Sequence, residues 1–170
     1  MHDVTIRSEQ PGDEAAIRGV NEAAFGQADE SRIVDAIRLA ARDRISLVAV
    51  SGGGIVGHIL FTPVDTESSA SDASVMGLGP MSVKPELQRG GIGSRLVRDG
   101  LEACRTAGCR AVVVLGHPEF YPRFGFRPAS TYGLRCEYDV ADDVFMAVEL
   151  VPGALAQRSG LVRYLPEFRG

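Results

Sequence analysis

The chain has 170 residues, with 18 Lys and Arg against 22 Asp and Glu, a net charge of −4 and a sequence pI near 5.4. That length fits one domain whose core needs neither disulfides nor metal, and 45 % hydrophobic with 24 % charged residues excludes the disordered and fibrous classes. Its 18 basic residues are spread along an acidic chain, which argues against a general nucleic-acid binder, since such proteins gather Lys and Arg to neutralise phosphates.

Met1-His2-Asp3-Val4 has neither the basic nor the apolar region of a signal peptide, so the expected address is the cytoplasm. Alternation in Val4-Thr5-Ile6-Arg7 predicts a first strand, broken by Pro11-Gly12 with Asp13 as a helix N-cap. A helix follows to Phe25 on Ile17, Val20, Ala24 and Phe25, and a second, capped by Asp29, buries Ile33, Val34, Ile37 and Ala41. Leu47–Val50 and Ile55–Phe61 read as an antiparallel hairpin around Ser51-Gly52-Gly53-Gly54. His58 falls on the second of these strands, and alternation leaves its facing open. A polar loop from Thr66 to Ser74 leads to a strand from Val75 to Val83.

Residues Gly91 to Ala107 carry the strongest helical pattern, with Ile92, Leu96, Val97, Leu101 and Cys104 on one face and Gly108 as the stop. Ala111-Val112-Val113-Val114-Leu115 reads as a central strand covered on both faces, and Val144–Leu150 as a later strand. The order is strand, two helices, three strands, helix, strand, short helix, strands, giving a mixed α/β sheet of about six or seven strands in a single domain. No apolar run approaches the roughly 18 residues of a membrane span. Cys104, Cys109 and Cys136 form no C-x-x-C pair, and His2, His58 and His117 stand isolated, so no disulfide framework or metal site is expected.

The segment Val83-Lys84-Pro85-Glu86-Leu87-Gln88-Arg89-Gly90-Gly91-Ile92-Gly93-Ser94 carries chemistry. A strand ends, Pro85 turns the chain, and three glycines lead into a helix whose first N–H groups point together and favour an anion such as a pyrophosphate. Arg89 adds a full positive charge. Gly93 is followed by Ser94-Arg95, so this is not a Walker loop, and Gly91-Ile92-Gly93-Ser94-Arg95-Leu96 lacks the last glycine of a dinucleotide fingerprint. A ligand-free Gly-rich turn is the alternative.

Gln88-Arg89-Gly90-Gly91-Ile92-Gly93 resembles the Q/R-x-x-G-x-G/A motif of the GNAT superfamily of N-acetyltransferases, and Tyr121-Pro122-Arg123-Phe124-Gly125-Phe126 its Tyr-x-x-x-Gly-Phe segment. The run Leu115–Phe126 looks closest to the YhbS-like branch of bacterial acetyltransferases, and the element order extends the likeness over nearly the whole chain. The resemblance implies a GNAT-like α/β (α+β) fold, a mixed, mostly antiparallel sheet of about six to seven strands flanked by about four helices. It would span residues 1–170, with 151–170 as a C-terminal tail packed on the domain.

The same resemblance implies acetyl-CoA as co-substrate. The main chain of Met81, Ser82 and Val83 would pair with the pantetheine arm, and Gln88, Arg89, Gly90, Gly91, Ile92, Gly93 and Ser94 would hold the pyrophosphate. Tyr121 is the expected acid, since a phenol of pKa about 10 stays protonated at neutral pH while a thiolate of pKa about 8.5 departs. Without the motif, Tyr121 reads as a buried aromatic with a bonded hydroxyl. The strand near Leu78-Gly79-Pro80-Met81 would supply oxyanion donors, Gly77 and Gly79 marking a bulge or splay. No carboxylate lies from Val75 to Val83, which leaves His117, with Glu119 behind it, as the candidate base. A turn histidine bonded to backbone is the other reading.

The expected reaction is direct acetyl transfer to a primary amine of a small molecule or peptide, in a ternary complex without metal. A non-catalytic acyl-CoA sensor and an acyltransferase for longer acyl chains are the rival classes. The tail either covers the acceptor cleft or packs at a homodimer seam.

Overall fold

The computed structural model describes residues 3–40, 42–68 and 74–169; Met1, His2, Ala41, Gly170 and residues 69–73, part of the expected polar loop, lie outside them. In chain order the elements are β1 (Val4–Ser8), α1 (Glu14–Phe25), α2 (Asp29–Leu39), β2 (Ile45–Ser51), β3 (Gly54–Pro63), β4 (Asp65–Thr66) and β5 (Val75–Val83). There follow α3 (Ile92–Thr106), β6 (Ala111–Leu115), β7 (Arg127–Pro128), β8 (Leu134–Cys136), β9 (Phe145–Glu149) and β10 (Gly160–Arg163). Seven strands form one mixed sheet in the order β1-β2-β3-β5-β6-β9-β7, and β4-β10-β8 form a second. β5 with β6 and β10 with β8 are parallel, whereas β1–β2, β2–β3, β6–β9, β7–β9 and β10–β4 are antiparallel.

Among the described residues there are three α-helices, not the four expected. The segment read as a short helix is a single 3-10 turn, Tyr121–Phe124, with Pro122 in its first turn and Gly125, at φ 95°, ending it within one turn. Further 3-10 turns lie at Pro85–Leu87, Ala129–Tyr132, Asp142–Val144 and Pro166–Arg169. No helix of the described residues is long and apolar enough to cross a membrane.

The chain packs as two compact units. The first comprises Met1–Phe61, Pro80–Gly100 and Glu167–Gly170. In it α1 and α2 bury Ile17, Val20, Val34 and Ile37, as the helical period requires. Phe25, expected in the same stripe, is exposed, since α1 ends beside it at Gly26 in the left-handed conformation. Asp13 holds the N-cap position without capping: its carboxylate accepts from the Arg7 guanidinium at 2.7 Å and the Gln10 N–H at 2.8 Å. The second helix starts at Asp29 itself, with Ala28 at the cap. His58 is fully buried on β3, where every residue from Val56 to Pro63 is buried and alternation vanishes.

The second unit comprises Thr62–Gly79 and Leu101–Pro166. Ala111–Val114 of β6 are all buried, fitting an apolar run covered on both faces. The expected tail contributes β10, which pairs β4 on one side and β8 on the other and buries Val162 and Tyr164.

Candidate functional site

The Gly-rich segment builds, from local conformation, a cradle that can hold an anion. After β5, the 3-10 turn at Pro85–Leu87 redirects the chain, and the Gln88 side chain donates from Nε2 to the Val83 carbonyl at 3.0 Å, tying the loop to the strand end. Arg89 adopts φ 66°, the one positive φ of a described non-glycine residue, and Gly91 adopts φ 92°. Arg89 and Gly91 are both exposed. The Gly91 carbonyl accepts the Arg95 N–H at 3.1 Å and so closes the first helical turn, which leaves the N–H groups of Ile92, Gly93 and Ser94 as the unpaired donors of the helix start. α3 has no acidic residue in its first turn, so the positive end of its dipole has no carboxylate of its own. The Gln88 side-chain amide is thus engaged with the strand end, and its main chain leads into the turn.

Beside the cradle, Met81 is half-buried and Ser82 and Val83 are buried. Lys84 donates its N–H to the Val56 carbonyl at 2.9 Å, which holds this end of the strand on β3. The register of β5 with β6 runs from Val75 to Leu78. It is followed by Gly79 at φ 144° and by Pro80, which has no N–H to offer a ladder. Gly79 thus marks the irregularity expected here, whereas Gly77 does not. Gly77 is buried in regular register with Val113, and a Cβ on it would come within 2.7 Å of the Tyr164 ring. Its lack of a side chain admits an aromatic ring rather than a bulge.

Tyr121 opens its 3-10 turn almost wholly buried, and burial pushes its phenol up to about 12. Phe120 meets its ring edge-on at 5.0 Å and Phe126 at 5.5 Å. His117 is exposed; its carbonyl accepts the Phe120 N–H at 3.0 Å and the Tyr121 N–H at 3.4 Å, so the backbone of His117 fixes the turn that carries Tyr121. Glu119 is exposed as well. Cys104 is fully buried, and its neighbour Cys109 together with burial pushes its thiol far up, which leaves no accessible thiolate there. Among the described residues no three His, Cys, Asp or Glu side chains gather as a metal site.

Residues 15–126 match the model of the Acetyltransferase (GNAT) family. The chain is 37 % identical over 146 residues to the "uncharacterized N-acetyltransferase YjhQ" of Escherichia coli K12, covering 84 % of this chain and 81 % of that protein. It is 32 % identical over 164 residues to the "uncharacterized N-acetyltransferase YhbS" of the same organism, covering 96 % and 97 %. The crystal structure of E. coli YhbS in complex with CoA superposes with a TM-score of 0.94 at 30 % identity, covering 100 % of this chain and 94 % of that one. That of a GNAT family acetyltransferase from Brucella melitensis in complex with acetyl-CoA gives 0.82 at 38 % identity, covering 99 % of each.

Proposed function

The chain belongs to the GNAT acetyltransferase family and is an acetyl-CoA-dependent acyltransferase, and from that premise we propose that it moves the acetyl group directly onto a primary amine of a small molecule or peptide within a ternary complex. The observation that carries the reading is the cradle: left-handed Arg89 and Gly91 turn the chain into α3, whose first N–H groups and uncompensated dipole suit a pyrophosphate. The two superposable relatives that hold CoA or acetyl-CoA support it. The main chain of Met81–Val83 pairs with the pantetheine arm, and that of Leu78–Met81 faces the developing oxyanion.

In the reaction the free amine attacks the thioester carbonyl, the tetrahedral adduct collapses, the carbon–sulfur bond breaks, and the amine nitrogen loses its proton. The Tyr121 phenol donates to the departing sulfur. At a pKa of about 12 it is a weaker acid than a thiol near 8.5, so full proton transfer ahead of bond cleavage is uphill. The phenol acts as a hydrogen-bond donor whose proton moves as charge grows on sulfur. His117 is the base that takes the amine's proton, with Glu119 two residues on. Buried Cys104 and Cys109 do not fit an acyl-enzyme. All 170 residues act as one acetyltransferase domain, in a reducing cytoplasm that suits three free cysteines.

Titration calorimetry with acetyl-CoA, beside NAD and adenosine 3′,5′-bisphosphate, tests the cradle; binding of acetyl-CoA without NAD is expected, and absence of acetyl-CoA binding would remove the basis of the reading. A screen of amines for CoA-thiol release should then give intersecting initial-velocity lines. Parallel lines with a trapped acyl-cysteine would contradict the ternary complex.

A further inference from the structure

Gly116 is the first residue after β6, and no left-handed φ explains a glycine there. Its N–H is anchored on the Val144 carbonyl at 3.0 Å, as any residue's would be. What lies against it is the ring of Tyr121. A Cβ on Gly116 would stand 2.2 Å from Cε2, 2.8 Å from Cδ2 and 3.2 Å from Cζ of that ring. The ring occupies the space in which every other side chain would begin, so one of the two must yield when Gly116 is replaced.

Two aromatic rings pack on it as well. Phe120 and Phe126 present T-shaped contacts with interplanar angles of 87° and 73°. Phe120 is itself held by the edge of Phe124 at 5.1 Å and by the Arg123 guanidinium 4.9 Å from its centroid. An alanine methyl at position 116 therefore pushes the ring against packed aromatics, and the path of least resistance carries the phenol away from its seat.

We infer that Gly116 is a positioning residue for the acetyl transfer: its missing side chain is the floor on which the Tyr121 ring rests, and that floor sets where the phenol hydroxyl points. The inference rests on the reading of Tyr121 as the proton donor. A displacement of about 1 Å at a donor costs far more in rate than in binding, because the hydrogen bond to sulfur tightens only in the transition state.

The test is Gly116→Ala, with the four tyrosines labelled with 13C at Cζ and assigned through Tyr121→Phe. In the native protein the Tyr121 resonance should titrate near 12; in Gly116→Ala it should move down toward about 10 as the ring leaves its buried seat. Turnover should drop roughly tenfold or more while KM for acetyl-CoA stays within about twofold, and Gly116→Ala should add nothing to kcat when Tyr121 is already Phe. An unchanged titration with unchanged kcat overturns the inference, as does an equal further loss in the Tyr121→Phe background. Full turnover in Tyr121→Phe would overturn the acid reading instead, and the titration would still decide whether Gly116 seats the ring. If Gly116→Ala does not fold, Tyr121→Ala removes the ring: alanine at 116 should then leave the unfolding midpoint of Tyr121→Ala unchanged, and a large further drop overturns the inference.

Discussion

Asn21 Nδ2 stands 3.3 Å from His58 Nδ1 in the core of the first unit, and the bonds around the pair fix which ring nitrogen carries the proton. The Glu9 carboxylate only accepts, so the Ser46 hydroxyl donates to it at 2.8 Å and must accept from His58 Nε2 at 2.9 Å. Nδ1 is then the acceptor for Asn21, whose amide also donates to the Ile17 carbonyl at 3.1 Å. A second proton on the ring would face the Asn21 amide donor to donor.

Burial accordingly pulls His58 down to about 4, the attraction of Glu9 failing to offset it and Arg38 adding to it. Burial alone would raise Glu9, but hydrogen bonds from Arg38 and Ser46 hold it below the ordinary carboxylate value. Unfolded His58 takes its proton near pH 6.5 and the folded residue does not, so stability is full above that pH and falls as pH drops toward 4. Urea unfolding should show about 2 kcal/mol lost to this group between pH 7 and pH 5. His58→Gln should be less stable at pH 7 and lack most of that slope; parallel pH profiles for the two proteins would show that His58 is not the group responsible.

Arg89 combines two properties that substitutions can separate. Its φ of 66° costs a residue with a Cβ about 1 kcal/mol relative to glycine, and its charge is the one the proposed pyrophosphate site would use. Arg89→Gly relieves the backbone and removes the charge, whereas Arg89→Ala only removes the charge. By thermal unfolding Arg89→Gly should be more stable than Arg89→Ala by about 1 kcal/mol, while calorimetry should show both binding acetyl-CoA more weakly than the native chain. Equal stabilities would mean that the turn relaxes without the arginine.

The turn into α3 was legible in the sequence because its signals are local: Pro85 turns, Gly91 takes a positive φ, and Ile92, Leu96, Val97 and Cys104 repeat at helical spacing on the buried face of α3. The apolar run of β6 was legible for the same reason. What escaped depends on contacts between distant residues. β4 and β8 have two and three residues, too short for alternation to declare a strand, so the second sheet and the place of β10 in it stayed hidden in an apparent loop and tail. Asn21 carried no signal of its own in the sequence: its burial against His58 is a contact between distant residues. Glycines were the hardest to read: Gly77 and Gly116 make room for Tyr164 and Tyr121, and nothing in their neighbours' identities distinguishes that from a bulge or a turn. Pro80, in contrast, was a usable signal that one edge of its strand leaves the ladder.

Gly100 illustrates the same point as an expected outcome. Glycine inside a helix normally costs about 1 kcal/mol against alanine, so Gly100→Ala on α3 would be expected to stabilise. Yet a Cβ there would meet Phe61 at 2.5 Å from Cε2 and 2.6 Å from Cζ, and Phe61 is fully buried. Overpacking of this kind costs about 1–3 kcal/mol. Gly100→Ala should therefore lower the unfolding midpoint, and Phe61→Leu in the same chain should recover part of the loss; a raised midpoint in Gly100→Ala would show that α3 shifts freely over β3.

If the Tyr121 phenol is the proposed donor, its protonation bounds activity only at high pH. An acid works only while protonated, and burial moves the loss of its proton from about 10 to about 12. The kcat profile should therefore show no fall attributable to this group below about pH 10, and Tyr121→Phe should reduce kcat by roughly 100-fold or more with little change in acetyl-CoA binding. The same shift acts on folding. The unfolded phenol ionises first, so the contribution of this group to stability is intact below about pH 10 and is lost as pH rises from there toward 12. Rates at high pH have to be read beside circular dichroism of the same samples. An alkaline fall near pH 8 or 9 that disappears in Tyr121→Phe would contradict the raised value of the phenol, and full kcat in Tyr121→Phe would remove Tyr121 from the proton-transfer step.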